Sequence, residues 1–269
     1  MKLDFLIPTK DRHVCLARTL TSVRRAAAAC KAGILVCDQS AAAYPSDVAV
    51  TVLHRPDIRG LPAARNALLS QTRADIVCFL DDDVDVGGDL GAELLRLAQS
   101  ETGMMGWGPV VETRASQIRR LHRLSQHGVF RDPRRLQARR NDRMTPFLYG
   151  CCFAIRRRQA HATGFDERRV GYALGEDLDF FRRLNLPLRF DSKLRVIHRR
   201  DGGGRSDARA RGRKKGEFLV WLAHRHGRQN PVTPIHLVLA VVAAMSGRGD
   251  EPAAPISVMT AAARAWLRT

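Results

Sequence analysis

The sequence predicts an α/β fold, with a mostly parallel central sheet flanked by helices and a helical tail at the C-terminus. Two observations predict this fold. Short apolar stretches of strand length alternate with longer stretches whose apolar residues recur at helical spacing. The short stretches are apolar at nearly every position, as expected of parallel strands that helices cover on both faces. With 269 residues, the chain is long enough for one large domain with an appendage.

The elements follow in order from the N-terminus. A β-α-β unit is predicted from a strand over 3–9 (LDFLIPT), a helix over 14–30 and a strand over 33–40. Next come a strand over 49–56, a helix over 60–72 and a strand over 75–83. Further along, a helix is predicted over 175–184 (GEDLDFFRRL) and a short strand over 194–200 (LRVIHRR).

Positive charge narrows the classes of partner. The 45 Lys and Arg residues exceed the 27 Asp and Glu residues, and the net charge of +18 favours nucleic acid, anionic lipid or phosphate-bearing substrates. Aromatic residues make up only 6% of the chain, which is few for stacking on bases, and no zinc-finger spacing is present. Nucleic acid is therefore not the expected partner, although a basic nucleic-acid-binding protein remains the alternative from a different functional class.

The cysteines and the apolar segments indicate a cytoplasmic protein. The six cysteines include no CxxC pair and several lie in apolar stretches, so we expect them to be reduced. The N-terminal MKLDFLIPTKDR turns polar too early for an export signal. The longest apolar stretch, 235–245, is shorter than the about 20 residues of a spanning helix. It is predicted to be a core helix or, alternatively, a helix that lies on a membrane surface.

Polar and acidic residues follow several of the predicted strands. Thr9, Asp38 and the cluster Asp81–Asp83 each lie where a predicted parallel strand ends, so they should meet at one edge of the sheet, where such folds bind ligands. Adjacent carboxylates raise one another's pKa unless a cation compensates, and Mg²⁺ or Mn²⁺ does so well. The alternative is a solvated acidic turn that caps the next helix.

A second acidic cluster opens the helix predicted over 175–184. Glu176 and Asp177 follow Gly175, where the helix dipole favours carboxylates and where one of them could serve as a general base. His198, near the end of the last predicted strand, is a borderline ligand able to complete a metal site begun by carboxylates.

Eight segments in a fixed order resemble the family 2 glycosyltransferases, which have the GT-A fold with a Rossmann-like sheet. The segments are IPTKDR, VCDQS, GLPAARN, FLDDDVDV, YGCCFAIRR, GFDE, GEDLDFFRRL and IHRR, and together they span about residues 3 to 200. The resemblance implies a glycosyltransferase domain over 1–217, with a nucleotide-binding half over about 1–110 and an acceptor-binding half over about 111–217. A helical extension over 218–269 would follow it.

The resemblance also implies which residues form the site. The nucleotide of the donor would contact Pro8, Thr9, Arg12, Asp38, Arg65, Asp81 and Asp82. Among these, Asp38 would accept a hydrogen bond from a uracil-type ring. Asp83 and His198 would hold a divalent metal, Mn²⁺ or Mg²⁺. Asp177 would be the catalytic base, and Glu176 would orient it or the acceptor.

The activity implied by the resemblance is metal-dependent, inverting transfer of a sugar from a nucleotide-sugar donor, with a UDP-sugar favoured. The acceptor would be a hydroxyl of a glycan or a lipid-linked glycan, as in polysaccharide biosynthesis. A single addition is favoured, because the sequence has neither the QxxRW segment nor the flanking spanning helices of processive synthases. A sugar nucleotidyltransferase is the alternative enzyme, but its first strand is usually followed by a glycine-rich loop and IPTKDR has no glycine.

Three positions depart from the family pattern. Lys10 stands where family members often have an aromatic residue near the base, so the base is left open. Cys151 and Cys152 stand where a small or polar residue often faces the donor sugar, so the sugar is not predicted.

Two basic segments complete the interpretation. Residues 112–143 are predicted to be a platform for an anionic acceptor or for the inner membrane surface, or else a solvated helix pair. Residues 198–217 are basic and rich in glycine, and are predicted to be a lid that the donor orders, with a disordered linker as the alternative. With the C-terminal tail, these segments would allow a cytoplasmic protein to contact the membrane peripherally.

Overall fold

The computed structural model describes residues 1–45, 47–113, 143–145, 147–168, 175–199 and 201, together with Arg213, Glu217, Trp221, Arg225, Thr260 and Arg264. The chain divides into two compact units, one formed by Met1–Arg114 with Pro133–Gly204 and the other by Ala115–Asp132 with Arg205–Thr269. All elements with described bounds belong to the first unit. Most of the basic segment 112–143, the lid segment after His198 and the helical tail 218–269 lie outside the described residues, so the predictions made for them stay predictions.

The described elements comprise nine strands and five helices. The strands are β1 Leu3–Thr9, β2 Gly33–Asp38, β3 Thr51–His54, β4 Ile76–Leu80, β5 Val84–Val86, β6 Gly106–Thr113, β7 Arg143–Thr145, β8 Cys152–Arg156 and β9 Leu188–His198. The helices are α1 His13–Ala28, α2 Leu61–Gln71, α3 Leu90–Ser100, α4 Arg157–Thr163 and α5 Glu176–Leu184. Each strand and helix predicted within the described residues is present, the first strand at its predicted bounds and the others with shifted bounds.

Two of the predicted elements have bounds that the structure corrects. The strand predicted over 75–83 ends at Leu80, so the cluster Asp81–Asp83 lies in the turn between β4 and β5. Three adjacent charged side chains cannot all avoid the apolar faces of a buried strand, whereas a turn lets each one take a different direction. The last strand begins at Leu188 and not at residue 194, because Phe190 and Leu194 continue its buried face.

The nine strands form one mixed sheet in the order β3-β2-β1-β4-β8-β6-β9-β5, with β7 paired to β9. The first four strands along the chain pair in parallel, as predicted for this half. In the second half β8 lies antiparallel between β4 and β6, β5 and β7 lie antiparallel to β9, and only β6 and β9 pair in parallel. The predicted α/β class is confirmed, with the parallel arrangement concentrated in the N-terminal half.

Helices cover both faces of the sheet, and strand β1 shows how. Its successive side chains alternate between two cores, with Phe5 and Ile7 on one side and Leu6 on the other. The first core also holds the apolar residues of α1 and α3, and the second holds those of α2, α4 and α5. All six cysteines are free, as expected. Among the described residues, no helix is both long and apolar enough to cross a bilayer.

The strand ends that carry the predicted site meet at one edge of this sheet. Thr9 pairs with Asp38 at the carboxyl ends of β1 and β2, and Leu80 at the end of β4 pairs with Cys152. His198, the last residue of β9, pairs with Val84 directly after the aspartate cluster. Residues from distant parts of the chain therefore reach one place.

Candidate active site

Hydrogen bonds from three other segments of the chain fix the backbone of the turn after β4. The amide of Asp81 donates to the carbonyl of Cys151 at 3.0 Å, and the hydroxyl of Thr19 donates to the carbonyl of Asp82 at 2.7 Å. The amide of Arg199 donates to the carbonyl of Asp83 at 2.9 Å. Each of these bonds fixes the backbone of one residue of the cluster.

The side chain of Asp82 is held by the end of β1 and by α1. It accepts a hydrogen bond from Thr9 Oγ1 at 2.7 Å and forms an ion pair with Arg12 Nη1 at 2.7 Å. Burial raises the pKa of Asp82 to about 6, although the Thr9 hydroxyl and the Arg12 charge oppose the rise. Both protein partners fix the turn in place.

Asp83 uses both of its carboxylate oxygens. Oδ1 lies 3.0 Å from His198 Nε2 and Oδ2 lies 2.9 Å from Arg12 Nη2. Burial alone would raise the pKa of Asp83, but the hydrogen bonds and charges of His198 and Arg12 outweigh it and lower the pKa to about 2. Asp83 is therefore an anion throughout the neutral range, as a metal ligand must be.

Asp81, Asp83 and His198 form a group that could hold a metal ion. One ligand atom from each of the three residues lies within 4.8 Å of the others. Two carboxylate oxygens and an imidazole nitrogen suit Mn²⁺ and related divalent ions, so the donor set fits the expected cofactor. The structure brings together the two predicted ligands, Asp83 and His198, and adds Asp81, for which a contact with the nucleotide was predicted. The individual roles of these residues stay predictions.

Sequence reasoning missed Arg199, which locks this group in place. Its guanidinium donates to the Val84 carbonyl at 3.1 Å and to Thr19 Oγ1 at 2.9 Å, and it pairs with Asp85 and, at 3.0 Å, with Asp201. Arg199 follows His198 directly, so it ties the end of β9 to both α1 and β5. In the sequence Arg199 is one arginine of the basic segment 198–217, and only its position next to the candidate ligand His198 distinguishes it from the others.

The loop that follows β2 and the start of α1 line an open cavity of about 580 Å³, with Arg12, His13 and Ser40 among the lining residues. The Asp38 side chain is fully buried here and accepts hydrogen bonds from the amides of Ser40 at 3.0 Å and Tyr44 at 2.7 Å. Its Oδ2 also lies 2.9 Å from His13 Nε2. Burial would raise the pKa of Asp38, but these hydrogen bonds lower it. A direct bond from Asp38 to a uracil-type ring stays a prediction, and the base would compete with these protein donors.

Pro8 and Thr9 are buried at the end of β1, and Thr9 turns its hydroxyl to Asp82. Arg12 bridges Asp82 and Asp83 and also donates to the carbonyl of Asp201 at 3.0 Å. The structure thus places Thr9 and Arg12 at the aspartate cluster, with Pro8 directly before Thr9 in β1. Their predicted contacts with the nucleotide remain predictions.

Arg65 lies between the two acidic clusters with a side-chain exposure of only 1%. It pairs with Glu176 Oε1 at 2.8 Å, donates to the Gly150 carbonyl at 2.8 Å and lies 3.5 Å from Asp81 Oδ1. A direct contact with the base and phosphates was expected from the resemblance. To make it, this buried guanidinium would have to leave its protein partners, so the contact stays a prediction that the structure does not favour.

Glu176 and Asp177 begin helix α5, as predicted. Asp177 Oδ2 accepts a hydrogen bond from the Gly150 amide at 2.9 Å, and Oδ1 accepts one from the Leu178 amide at 2.8 Å. Burial raises the pKa of Glu176 to about 8, with Asp177 adding to the rise and Arg65 opposing it. Because Arg65 reaches both Glu176 and Asp81, the two acidic clusters lie on the same side of the molecule.

Residues 4–163 match the sequence model of the family described as glycosyl transferase family 2. The chain belongs to this family. The family expected from the sequence is thereby confirmed. The match covers the aspartate cluster and Arg65 but ends before Glu176, Asp177 and His198. No curated protein matches the chain.

Solved glycosyltransferase structures share the fold. Mannosyltransferase PcManGT from Pyrobaculum calidifontis, in complex with GDP-Man and Mn²⁺, matches with a TM-score of 0.61 and 16% identity over 99% of this chain and 74% of its own. GalNAc-T7 with UDP, GalNAc and Mn²⁺ matches with a TM-score of 0.57 and 15% identity over 82% of this chain. The S. aureus TarS 1-349 structure matches with a TM-score of 0.57 and 12% identity over 83% of this chain.

Because the sequence identities of these neighbours are low, the similarity establishes the fold and nothing beyond it. The matched part of this chain spans only 50% of the GalNAc-T7 chain and 64% of the TarS chain. The predicted GT-A fold is confirmed.

Proposed function

We propose that this family 2 member is a metal-dependent, inverting glycosyltransferase that uses a nucleotide-sugar donor, with a UDP-sugar favoured. One observation carries the proposal: a group able to hold a metal, Asp81, Asp83 and His198, lies next to a pair of carboxylates, Glu176 and Asp177, with Arg65 between them. A glycosyl transfer needs these two functions side by side, one to stabilise the leaving diphosphate and one to accept the proton of the incoming hydroxyl.

The metal group supports the donor half of the reaction. A divalent ion bound there would act as a Lewis acid that neutralises charge developing on the diphosphate, which is worth several kcal/mol in such sites. Asp83 is suited to this role because it is ionised and its orientation is fixed by His198 and Arg12. Structural neighbours support the same chemistry, since GalNAc-T7 was solved with UDP and Mn²⁺ and PcManGT with GDP-Man and Mn²⁺.

The base half of the reaction is assigned to Asp177. Its carboxylate is oriented by the amides of Gly150 and Leu178, which leaves a fixed acceptor for the proton of the attacking hydroxyl. A base must come within about 2.6 to 3.2 Å of that proton's oxygen, directly or through a water. Inversion follows from a single displacement, in which the hydroxyl attacks opposite the leaving diphosphate and Asp177 takes the proton.

The acceptor side of the proposal rests on charge and on the resemblance. The net charge of +18 suits a phosphorylated or lipid-linked glycan, and a peripheral position on the inner face of a membrane in polysaccharide biosynthesis. A cytoplasmic location goes with the six free cysteines. Identification of the acceptor requires a screen of glycans and lipid-linked glycans with the donor found first.

A thermal-shift screen tests donor and metal together. UDP, GDP and TDP are each added with and without Mn²⁺, and we expect UDP to raise the unfolding midpoint only when Mn²⁺ is present, because ligands that bind the folded state stabilise it. Asp83→Ala should abolish the shift. The matched control is Asp75→Ala, which removes a carboxylate at the opposite end of β4, where it accepts a hydrogen bond from the Lys2 amide.

Substitution of Asp177 tests the base. Asp177→Asn should leave the UDP and Mn²⁺ thermal shift in place and reduce sugar transfer by about 10²-fold or more, since asparagine cannot accept the proton. Transfer is followed as UDP released from a UDP-sugar. Undiminished release by the variant would exclude Asp177 as the base, and a wild-type protein that no nucleoside diphosphate stabilises with Mn²⁺ would contradict the proposed function itself.

A further inference from the structure

Arg65 is a permanent cation in the interior of the protein. Its side chain has 1% exposure, and its guanidinium carbon lies 5.8, 5.7 and 5.3 Å from the ring centroids of Phe79, Phe153 and Phe165. A charge this deeply buried is costly unless it is paired and hydrogen-bonded. The partners of the guanidinium must therefore offset the cost of burying Arg65.

Those partners come from both sides of the proposed reaction. On the donor side, Nη2 lies 3.5 Å from Asp81 Oδ1 in the turn after β4. On the acceptor side, Nη1 pairs with Glu176 Oε1 at 2.8 Å, and Nη2 donates to the Gly150 carbonyl at 2.8 Å. One rigid planar group thus spans a candidate metal ligand and the first residue of helix α5.

Gly150 extends the connection to the proposed base. Its carbonyl accepts from Arg65, while its amide donates to Asp177 Oδ2 at 2.9 Å. A Cβ atom at residue 150 would lie 2.8 Å from that same Oδ2 and 3.2 Å from Asp177 Cγ, so a larger residue there would displace the Asp177 carboxylate. Arg65 therefore anchors, through the Gly150 carbonyl, the same residue whose amide orients Asp177.

We propose that Arg65 is a positioning residue that holds the Asp177 carboxylate, through Gly150 and Glu176, in fixed register with the metal-side carboxylate Asp81. The inference rests on the proposed function of this site. Arg65 differs in this role from a ligand of the nucleotide, because its contribution appears in the rate of transfer and not in the affinity for the donor.

Arginine is the residue type that this geometry requires. The two Nη groups make all of its described hydrogen bonds, and Nε has no partner among the described residues. Lysine carries one compact ammonium group, which cannot span two acceptors in one plane or stack on the three rings in the same way. Arg65→Lys keeps the positive charge but removes the two Nη donors. It therefore distinguishes the effect of their geometry from the effect of the charge.

Kinetics of Arg65→Lys and Arg65→Gln test the inference. We expect the turnover number for UDP release to fall by about 10²-fold, since a displacement of about 1 Å in a catalytic group has an effect of this size. The donor KM and the affinity for UDP with Mn²⁺ should change less than about threefold. The control is Arg55→Gln, which removes an exposed arginine paired with Asp57. A loss of donor affinity of tenfold or more with unchanged turnover would overturn the inference.

Gly150→Ala makes the same test with Arg65 intact. It should reproduce the loss of turnover without a loss of UDP affinity, and normal turnover in this variant would overturn the inference. If Arg65→Gln fails to fold, the double variant Arg65→Gln with Glu176→Gln removes both members of the buried ion pair and replaces it in the kinetic test.

Amide hydrogen exchange at Gly150 gives a readout that does not depend on activity. In Arg65→Lys we expect this amide to exchange about tenfold faster, because Gly150 loses the bond that anchors its carbonyl, while the Arg55 amide bonded to Asp38 exchanges as before. Unchanged protection of Gly150 overturns the inference even where the wild-type protein shows neither donor binding nor turnover. Absence of donor binding and turnover in the wild-type protein would refute the proposed function, and this outcome is measured on the wild-type protein alone.

Discussion

At the scale of single residues, the site shows that partners decide what adjacent carboxylates do. Burial would raise the pKa of Asp83, but His198 and Arg12 outweigh it and lower the pKa to about 2, whereas at Asp82 burial outweighs Thr9 and Arg12 and raises the pKa to about 6. Burial also raises the pKa of Asp81. The pKa values of these three adjacent residues therefore differ because side chains from different parts of the fold contact them. The decisive partner of Asp83, His198, comes from the last strand.

Glu176 yields a prediction about stability and pH. Burial raises its pKa to about 8 in the folded protein from an ordinary 4.5, so between these values the folded state holds a proton that the unfolded state has lost. Stability is therefore expected to fall as pH rises through this range, by up to about 1.4 kcal/mol per pH unit. Below pH 4.5 both states are protonated and this contribution is constant.

Denaturant unfolding of the wild type and Glu176→Gln, measured in a chelator between about pH 5 and pH 8, checks this expectation. Glutamine does not titrate, so the variant should gain stability relative to the wild type as pH rises. A difference in unfolding free energy that is independent of pH would show that Glu176 ionises normally in the folded protein.

At the scale of elements, helices α1 and α3 pack closely at Gly91. A Cβ atom there would lie 2.8 Å from the Ala26 carbonyl and 2.5 Å from Cys30 Sγ. Gly91→Ala should gain about 1 kcal/mol from helix propensity but lose about 1 to 3 kcal/mol through overpacking, so we expect net destabilisation.

Gly103→Ala is the matched control for Gly91→Ala, because a Cβ atom at Gly103 meets nothing within 4 Å. Its unfolding free energy should stay within about 0.5 kcal/mol of the wild type. Chemical denaturation of both variants measures the difference. If Gly91→Ala were as stable as Gly103→Ala, the two helices would be free to move apart and the close approach would not matter.

The elements themselves could largely be predicted from the sequence, because their signals are local. The strand over 3–9 is predicted at its observed bounds, since an apolar run between polar residues needs no distant information. The antiparallel insertion of β8 beside β4 could not be predicted, because pairing between distant strands leaves no local pattern. For the same reason the sequence indicated Glu176 and Arg65 separately but not the ion pair between them.

At the scale of the whole molecule, the candidate site joins segments that are far apart in the sequence. Its ligands come from the turn after β4 and from the end of β9, and Arg199 ties that end back to α1. The sheet brings these segments together by pairing Val84 with His198. Metal and nucleotide binding should therefore stabilise both the turn after β4 and the end of β9. Binding at a site confined to the N-terminal half would stabilise the turn alone.

Hydrogen exchange with and without UDP and Mn²⁺ distinguishes these two cases. We expect slower exchange in peptides that cover both 81–86 and 194–201, since the amide of Arg199 is bonded to the carbonyl of Asp83 and opening of either segment breaks this bond. Helix α3 supplies none of the candidate ligands, and its exchange should stay the same. Asp83→Ala should remove the protection from both peptides together. Protection of 81–86 alone would mean that His198 does not share the ion, and the metal group would then have to be completed by a ligand other than His198.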